Sequence, residues 1–295
     1  MKTMLVLSMG ALLLAGTLSA QTPVPEWQAG VDKMKSLIQT NPAQASEEVG
    51  ELLKGKNKKN VDLVTSVAHV YLDAGKLTEA QEYLAMAKKA NNKDPKVSVL
   101  EGDIALAQKN IGQACQLYEQ AIYFDPNCKE AYLKYAQAYK SASPALAIEK
   151  LEQLKAVDPN CLEADRELAE VYYSSNRFGK AAEMYAKFID TPLATEDDML
   201  KYAFALFLNH DFEKSLQVAQ KGLQKNARHA AFNRLVMYNN TDLKRYEDAE
   251  KAAHAFFNAS DRADYSYLDY RYYGALLSAL KKYDEAIIEL SLIHI

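Results

Sequence analysis

Apolar residues in this chain fall on helical stripes, and the stripes recur at a fixed interval. Val64, Val67, Ala68 and Tyr71 stand at i, i+3, i+4 and i+7, as do Tyr132, Tyr135, Ala136 and Tyr139. This is the signature of one buried helix face. A small residue sits inside each such stripe: Ala68, Gly102, Ala136, Ala169 and Ala203, then Met237 where the size departs, then Gly274. The steps are 34, 34, 33, 34, 34 and 37 residues. A second series, Ala80, Ala114, Ala147, Ala181, Ser215, Ala249 and Ala286, runs 12 residues behind the first, or 11 in the third unit. Two helices per unit follow, joined by short polar turns such as DAGK, SSNR and NHD and re-entered through Leu77, Ile111, Phe178, Phe212, Tyr246 or Tyr283. A period of this length over most of the chain predicts stacked helix pairs.

The junctions repeat too. FDPNCKEAYLKYAQAYK and VDPNCLEADRELAEVYY lie 33 residues apart. Second helices are expected to end near Pro95, Pro126, Pro159 and Pro192, because proline lacks the amide donor and clashes with the preceding turn. The Asn that follows is expected to cap the next helix. Units start near Val61, Pro95, Lys129, Leu162, Glu196, Ala230 and Tyr267, the third having lost a turn residue near Ser143-Pro144.

These residues resemble the tetratricopeptide repeat (TPR) family. Leu168, Ala169, Tyr172, Ala181, Tyr185, Phe188 and Pro192 match the family's small, large and proline positions in one unit, and Gly102, Ala114, Tyr118, Ala121 and Pro126 match them in another. The resemblance implies an all-α solenoid, a right-handed superhelix of antiparallel helix pairs, with seven TPR-like repeats over 61–295 and the last incomplete. The sixth unit departs: Met237 and Asn240 replace the small and aromatic residues, so that pair is expected to pack loosely or to bind something unusual. Residues 21–60, with EWQAGVDKMKSLIQ and PAQASEEVGELLKG, read as a degenerate N-terminal capping pair, with Trp27 packed on the next unit. YDEAIIELSLIHI ends on an uncovered apolar stripe. That suggests a truncated chain or a non-native tail, and it invites homo-oligomerisation through the last helix.

Composition and charge narrow the function. A net charge of -4 with no single-sign block argues against nucleic acid, which needs a concentrated basic face. MKTMLVLSMGALLLAGTLSA has a positive start, an apolar centre and a small-residue end, so residues 1–20 read as a signal peptide cut after Ala20. An uncleaved anchor is the competing reading, but the apolar run is short for a span. No later stretch is apolar enough to cross a bilayer. Export permits disulfides, yet Cys115, Cys128 and Cys161 are odd in number. Equivalent turns of stacked repeats place Cys128 and Cys161 too far apart to bridge, so free thiols are expected.

No catalytic, cofactor or metal residues emerge. GELLKGKN from Gly50 nearly spells a phosphate-binding loop, but Asn57 stands where Ser or Thr must meet magnesium, and a helix precedes it instead of a strand. The five histidines, His69, His210, His229, His254 and His294, show no metal-ligand spacing. In the resembling family the first helices line the inside of the superhelix, which implies a partner-binding concave face at Arg166, Glu170, Tyr173, Phe204, Phe207, Arg234, Tyr238 and Arg271. Aromatic rings with guanidinium groups suit a protein interface, although Phe204 and Phe207 could equally pack on neighbouring helices. The family's clamp for chaperone tails is missing, since Thr65, His69 and Leu100 hold its places. The expected function is a non-enzymatic protein–protein interaction scaffold of the bacterial cell envelope, periplasmic, taking a peptide segment or partner protein and no cofactor. The alternatives are an envelope polysaccharide or peptidoglycan binder, and the N-terminal scaffold of a longer enzyme.

Overall fold

The computed structural model describes residues 24–261 and 264–292. The leader with its cleavage point after Ala20, and His294, lie outside the described residues. Helices follow one another in pairs: α1 (Gln28–Leu37) with α2 (Pro42–Leu52), α3 (Val61–Asp73) with α4 (Leu77–Asn91), α5 (Pro95–Ala107) with α6 (Ile111–Phe124), and α7 (Lys129–Tyr139) with α8 (Pro144–Val157). Then come α9 (Leu162–Ser174) with α10 (Phe178–Phe188), α11 (Glu196–Leu208) with α12 (Phe212–Lys225), α13 (Ala230–Asp242) with α14 (Tyr246–Ala259), and α15 (Tyr267–Ala279) with α16 (Tyr283–Ser291). No strand occurs among the described residues. The first helices from α3 onward begin at the residues where the sequence period starts its units.

Six of the eight tight turns within a pair are built the same way. The residue after the helix cap adopts a left-handed conformation at Gly75, Lys109, Asn176, His210, Lys244 and Lys281, with φ between 57 and 75°. The next amide then reaches back five residues, as Lys76 N does to Tyr71 O and Arg245 N to Asn240 O. This bond satisfies a carbonyl that the helix end leaves open. The α1–α2 and α7–α8 turns, each one residue longer, lack this motif.

Four of the seven turns between pairs share a different device. Asn91, Asp125, Asp158 and Asn226 each accept, through the side-chain oxygen, the amide two residues ahead. In the doubled phrase the Asp therefore organises the turn, and Cys128 and Cys161 occupy the N-cap positions expected for Asn127 and Asn160. The side chain that can accept a bond two residues on sits before the proline, so Asn127 and Asn160 are donors inside the turn.

The solenoid's curvature follows from which helices touch. Successive first helices pack on one another from α1 to α9 and again from α11 to α15, while from α4 onward each second helix packs on the next first helix. Second helices fan apart, so first helices line the inner face. Between α9 and α11 the stack is looser, at the longer turn through Pro192.

The core is a file of small-against-large contacts. A Cβ on Gly102 would sit 2.5 Å from Tyr118 Cε1, and one on Gly274 would sit 2.5 Å from Leu290 Cγ. The sixth pair is not loose. Met237, Tyr238 and Asn239 are all buried, and Ala253 takes the place across from Met237. Asn239 Nδ2 donates to Ser215 Oγ at 2.8 Å, and Ser215 Oγ donates to Ala203 O at 2.8 Å, tying α13 to α12 and α11. Trp27 packs against α3 and its neighbours, as expected. The phosphate-loop lookalike divides between α2 and a 3-10 helix, Gly55–Lys59, and Lys54 is paired with Glu51.

Candidate functional site

The inner face is written by three positions on each first helix, three residues before the small residue and one and four residues after it. The eight residues expected there meet three fates. Phe207 and Tyr238 are 6% and 1% exposed and belong to the core. Their rings lie 5.5 Å apart, and Tyr238 stacks on Tyr272 at 4.3 Å, forming an aromatic column through α11, α13 and α15. They have no surface to offer a partner, which corrects the expectation for these two. The cause is the closeness of α11, α13 and α15, which folds this part of the inner face inward.

Arg166, Arg234 and Glu170 are held by other side chains. Thr195 and Ser266 open α11 and α15 with capping boxes whose acid partners are Asp198 and Asp269. Each carboxylate accepts the N-cap amide through Oδ2, at 2.8 and 2.7 Å. Each also receives an arginine from the preceding first helix. Arg166 Nε donates to Asp198 Oδ1 at 3.0 Å, with Nη2 2.9 Å from Oδ2. Arg234 Nε lies 2.8 Å from Asp269 Oδ1, and its Nη2 donates to Asp264 O at 2.8 Å. Its guanidinium sits 4.7 Å from the centre of the Phe256 ring. These arginines act as staples between repeats. Glu170 accepts the Tyr185 hydroxyl at 2.7 Å and pairs with Lys201 at 2.9 Å.

Tyr173 and Phe204 are half-buried, and Arg271 is exposed beside the Tyr272 ring. Of the eight, these three keep surface free of a charged partner.

A second stretch of the inner face was not anticipated. A cavity of about 300 Å³ lies over α3, α5 and α7, with Trp27 at one end and Asp62, Thr65, His69, Lys96 and Glu130 along it. Two pairs cross between repeats here, Lys96 with Asp62 at 2.5 Å and His69 Nε2 with Asp103 Oδ2 at 2.9 Å. Asp103 also receives Lys134 at 2.9 Å and the Tyr118 hydroxyl at 2.8 Å. Burial raises its pKa, but His69, Lys134 and Tyr118 outweigh burial and hold its carboxyl below the ordinary carboxylate range. Applying the same three inner positions to the first units would have found Thr65 and His69. Trp27 carried no positional signal, because it lies outside the period.

The thiols are free and separate. Burial pushes Cys115 up to about 11, which leaves it unreactive as a nucleophile.

No protein-family model and no curated protein matches the sequence. Solved structures do match in shape. The C-terminal part of a TPR repeat-containing protein from Cytophaga hutchinsonii superposes with a TM-score of 0.59 at 18% identity, covering 79% of this chain and 97% of that one. PilF of Pseudomonas aeruginosa gives 0.57 at 15% identity, with 75% and 99% covered. PilW, a widely conserved type IV pilus biogenesis factor, gives 0.54 at 17% identity, with 70% and 95% covered. The chain therefore has the TPR fold, an all-α solenoid.

Proposed function

We propose that this chain is a non-catalytic interaction scaffold of the bacterial cell envelope that seats a peptide segment or partner protein on the inner faces of its first helices. The observation that carries the reading is the inner-face cavity beside Trp27, a concave site with an aromatic end and charges of both signs. Tyr173, Phe204 and Arg271 extend the contact surface along the later repeats. Arg166, Glu170, Arg234, Phe207 and Tyr238 hold that wall in shape. The α1–α2 pair closes the N-terminal end of the stack. The envelope setting rests on the leader and is supported by the likeness to PilW. Self-association through α16, where Ile287 and Ile288 are exposed, belongs to the same reading.

Photo-crosslinking residues placed in cells at Ser66, Tyr173 and Arg271, with Gln217 on the outer side as reference, test it. One protein partner trapped from the inner positions is the expected result. Trapping from Gln217 alone, or retention of the protein on glycan with no protein trapped, overturns it. N-terminal sequencing of the envelope fraction should begin at Gln21, and an intact Met1 in the cytosol refutes export. Sedimentation that shows a monomer at every concentration removes the self-association.

A further inference from the structure

The outer side carries a groove that widens at the sixth repeat, since its counterpart one repeat earlier, bounded by α10, α11 and α12, holds about 200 Å³. Between α12 and α14, with α13 as its floor, lies an open groove of about 610 Å³. The residue three positions after the small one is large in most first helices: Tyr71, Tyr139, Tyr172, Leu206 and Leu277, with Ala105 in the second unit. In α13 that position is Asn240, and the space stays open. Asn240 is only 3% exposed and lines the groove, yet no group among the described residues hydrogen-bonds its carboxamide. Its oxygen and NH₂ group open onto the groove, where a ligand that brings a donor and an acceptor can meet them. Two turns earlier on the same face, Asn233 is 5% exposed. It lines the groove, its Nδ2 donates to Ala227 O and His229 O at 3.1 and 3.2 Å, and no group among the described residues donates to its carbonyl oxygen.

The geometry points to a docking site for an extended, uncharged peptide strand, held through its backbone by Asn240 and Asn233. A carboxamide offers one acceptor and an NH₂ donor, the complement of a peptide group. A helical ligand has already spent its backbone groups internally, so the ligand is extended. Seven residues of helix rise about 10 Å, and an extended strand covers that in three residues, so the two amides address peptide groups three residues apart. Leu216, Leu223, Val236 and Ala252 make the walls aliphatic, which suits Val, Leu or Ile side chains and offers no ring for a sugar to stack on. The rim is already neutralised: Arg245 pairs with Glu213 at 2.6 Å, and Lys251 pairs with Asp248 at 3.1 Å. This site is independent of the inner-face reading.

The test uses a set of capped hexapeptides in which Val, Leu or Ile alternates with Ser, together with the same peptides N-methylated at alternate residues. Binding is read from the side-chain NH₂ resonances of Asn233 and Asn240 in the full protein. At least one plain peptide is expected to shift both signals saturably. N-methylation and Asn240→Leu should each weaken binding about tenfold or more, because the backbone pairing is lost. Leu is native at this position in α11 and α15, so N240L should fold and melt higher than wild type. The proposal fails if no peptide moves the Asn240 signal, if the N-methylated peptides bind as well, or if N240L retains binding. It also fails if a chito-oligosaccharide shifts these signals and the peptides do not.

Discussion

The α5–α6 and α13–α14 pairs solve one packing problem in opposite ways. In α5–α6 the first helix contributes nothing at Gly102, and Tyr118 of the second helix fills the space. In α13–α14 the first helix contributes Met237, and Ala253 of the second gives way. All four positions are buried, and the helices stay paired in both cases. Between these two pairs the summed volume is kept, and the side that supplies it changes. Close-packed interiors accept such trades when total volume is kept. The trade has a cost in polar pairing. Tyr118 and Tyr185 reach acids on their own first helices, Asp103 and Glu170, whereas Ala253 reaches nothing, and Tyr238 turns to Asp269 of the next repeat at 2.6 Å.

The largest effects come from breaking the trade on one side. Tyr118→Ala should cost about 4 kcal/mol, from the cavity against Gly102 and the lost bond to Asp103. Gly102→Met alone should cost about 3 kcal/mol, since its Cβ already collides with the ring. The double variant should recover about 2 kcal/mol relative to the sum of the two. Urea unfolding followed by circular dichroism reads all three. Strict additivity would show that the two positions do not share one volume.

The two regions agree where α9 and α13 each send an arginine to a capping-box carboxylate. Removing either cation leaves a carboxylate that is almost wholly buried. Arg166→Met and Arg234→Met should each destabilise by about 2 kcal/mol, less than a fully buried pair because both guanidinium groups keep some solvent. Lys129→Met, at a pair to Glu163 that is open to water on both sides, should cost no more than about 0.5 kcal/mol. Equal losses at all three sites would mean that burial of the acid does not set the cost.

A difference in acid sensitivity should follow. Asp103 has a depressed pKa in the folded chain, so its contribution is complete above the ordinary carboxylate value, near about pH 4. It is lost as the pH falls through the depressed folded value. Asp103→Asn should be less stable than wild type at neutral pH, with the gap closing as acid is added. Hydrogen exchange resolved by helix should localise this to α3, α5 and α7 and leave α13 and α15 unchanged. A gap that stays constant with pH would show that Asp103 acts only as a hydrogen-bond acceptor.

The repeat was legible because it is written in size and spacing. Small residues at Ala68, Gly102 and their successors reported the helix pairs, and the unit starts coincide with the first helices. The inner face was less legible. Arg166 and Arg234 read as surface cations, because their acids, Asp198 and Asp269, lie 32 and 35 residues on and are named only by the capping box around them. Phe207 and Tyr238 occupy inner positions by count, but whether such a position opens to solvent depends on how closely the next first helix approaches, which no local pattern records. Met237 looked like a defect because its compensation, Ala253, sits 16 residues away on the other helix.

The turns provide the smallest and cleanest comparison. The α3–α4 turn places a glycine in the left-handed conformation, at φ 75°, while the α13–α14 turn places Lys244 there, at φ 60°. A side chain in that region costs about 1–2 kcal/mol through the clash of its Cβ with the backbone, and glycine escapes it at the price of a more flexible unfolded chain. Lys244→Gly should therefore stabilise by about 0.5–1 kcal/mol, and Lys281→Gly by a similar amount. Asn176→Gly should gain less, because asparagine tolerates this conformation better than lysine. The shared backbone bond survives each change, Arg245 N to Asn240 O in the case of Lys244, so the gain isolates conformational preference from hydrogen bonding. If Lys244→Gly destabilises instead, the lysine side chain contributes an interaction that outweighs its strained backbone, and the turns are not equivalent in energy as they are in shape.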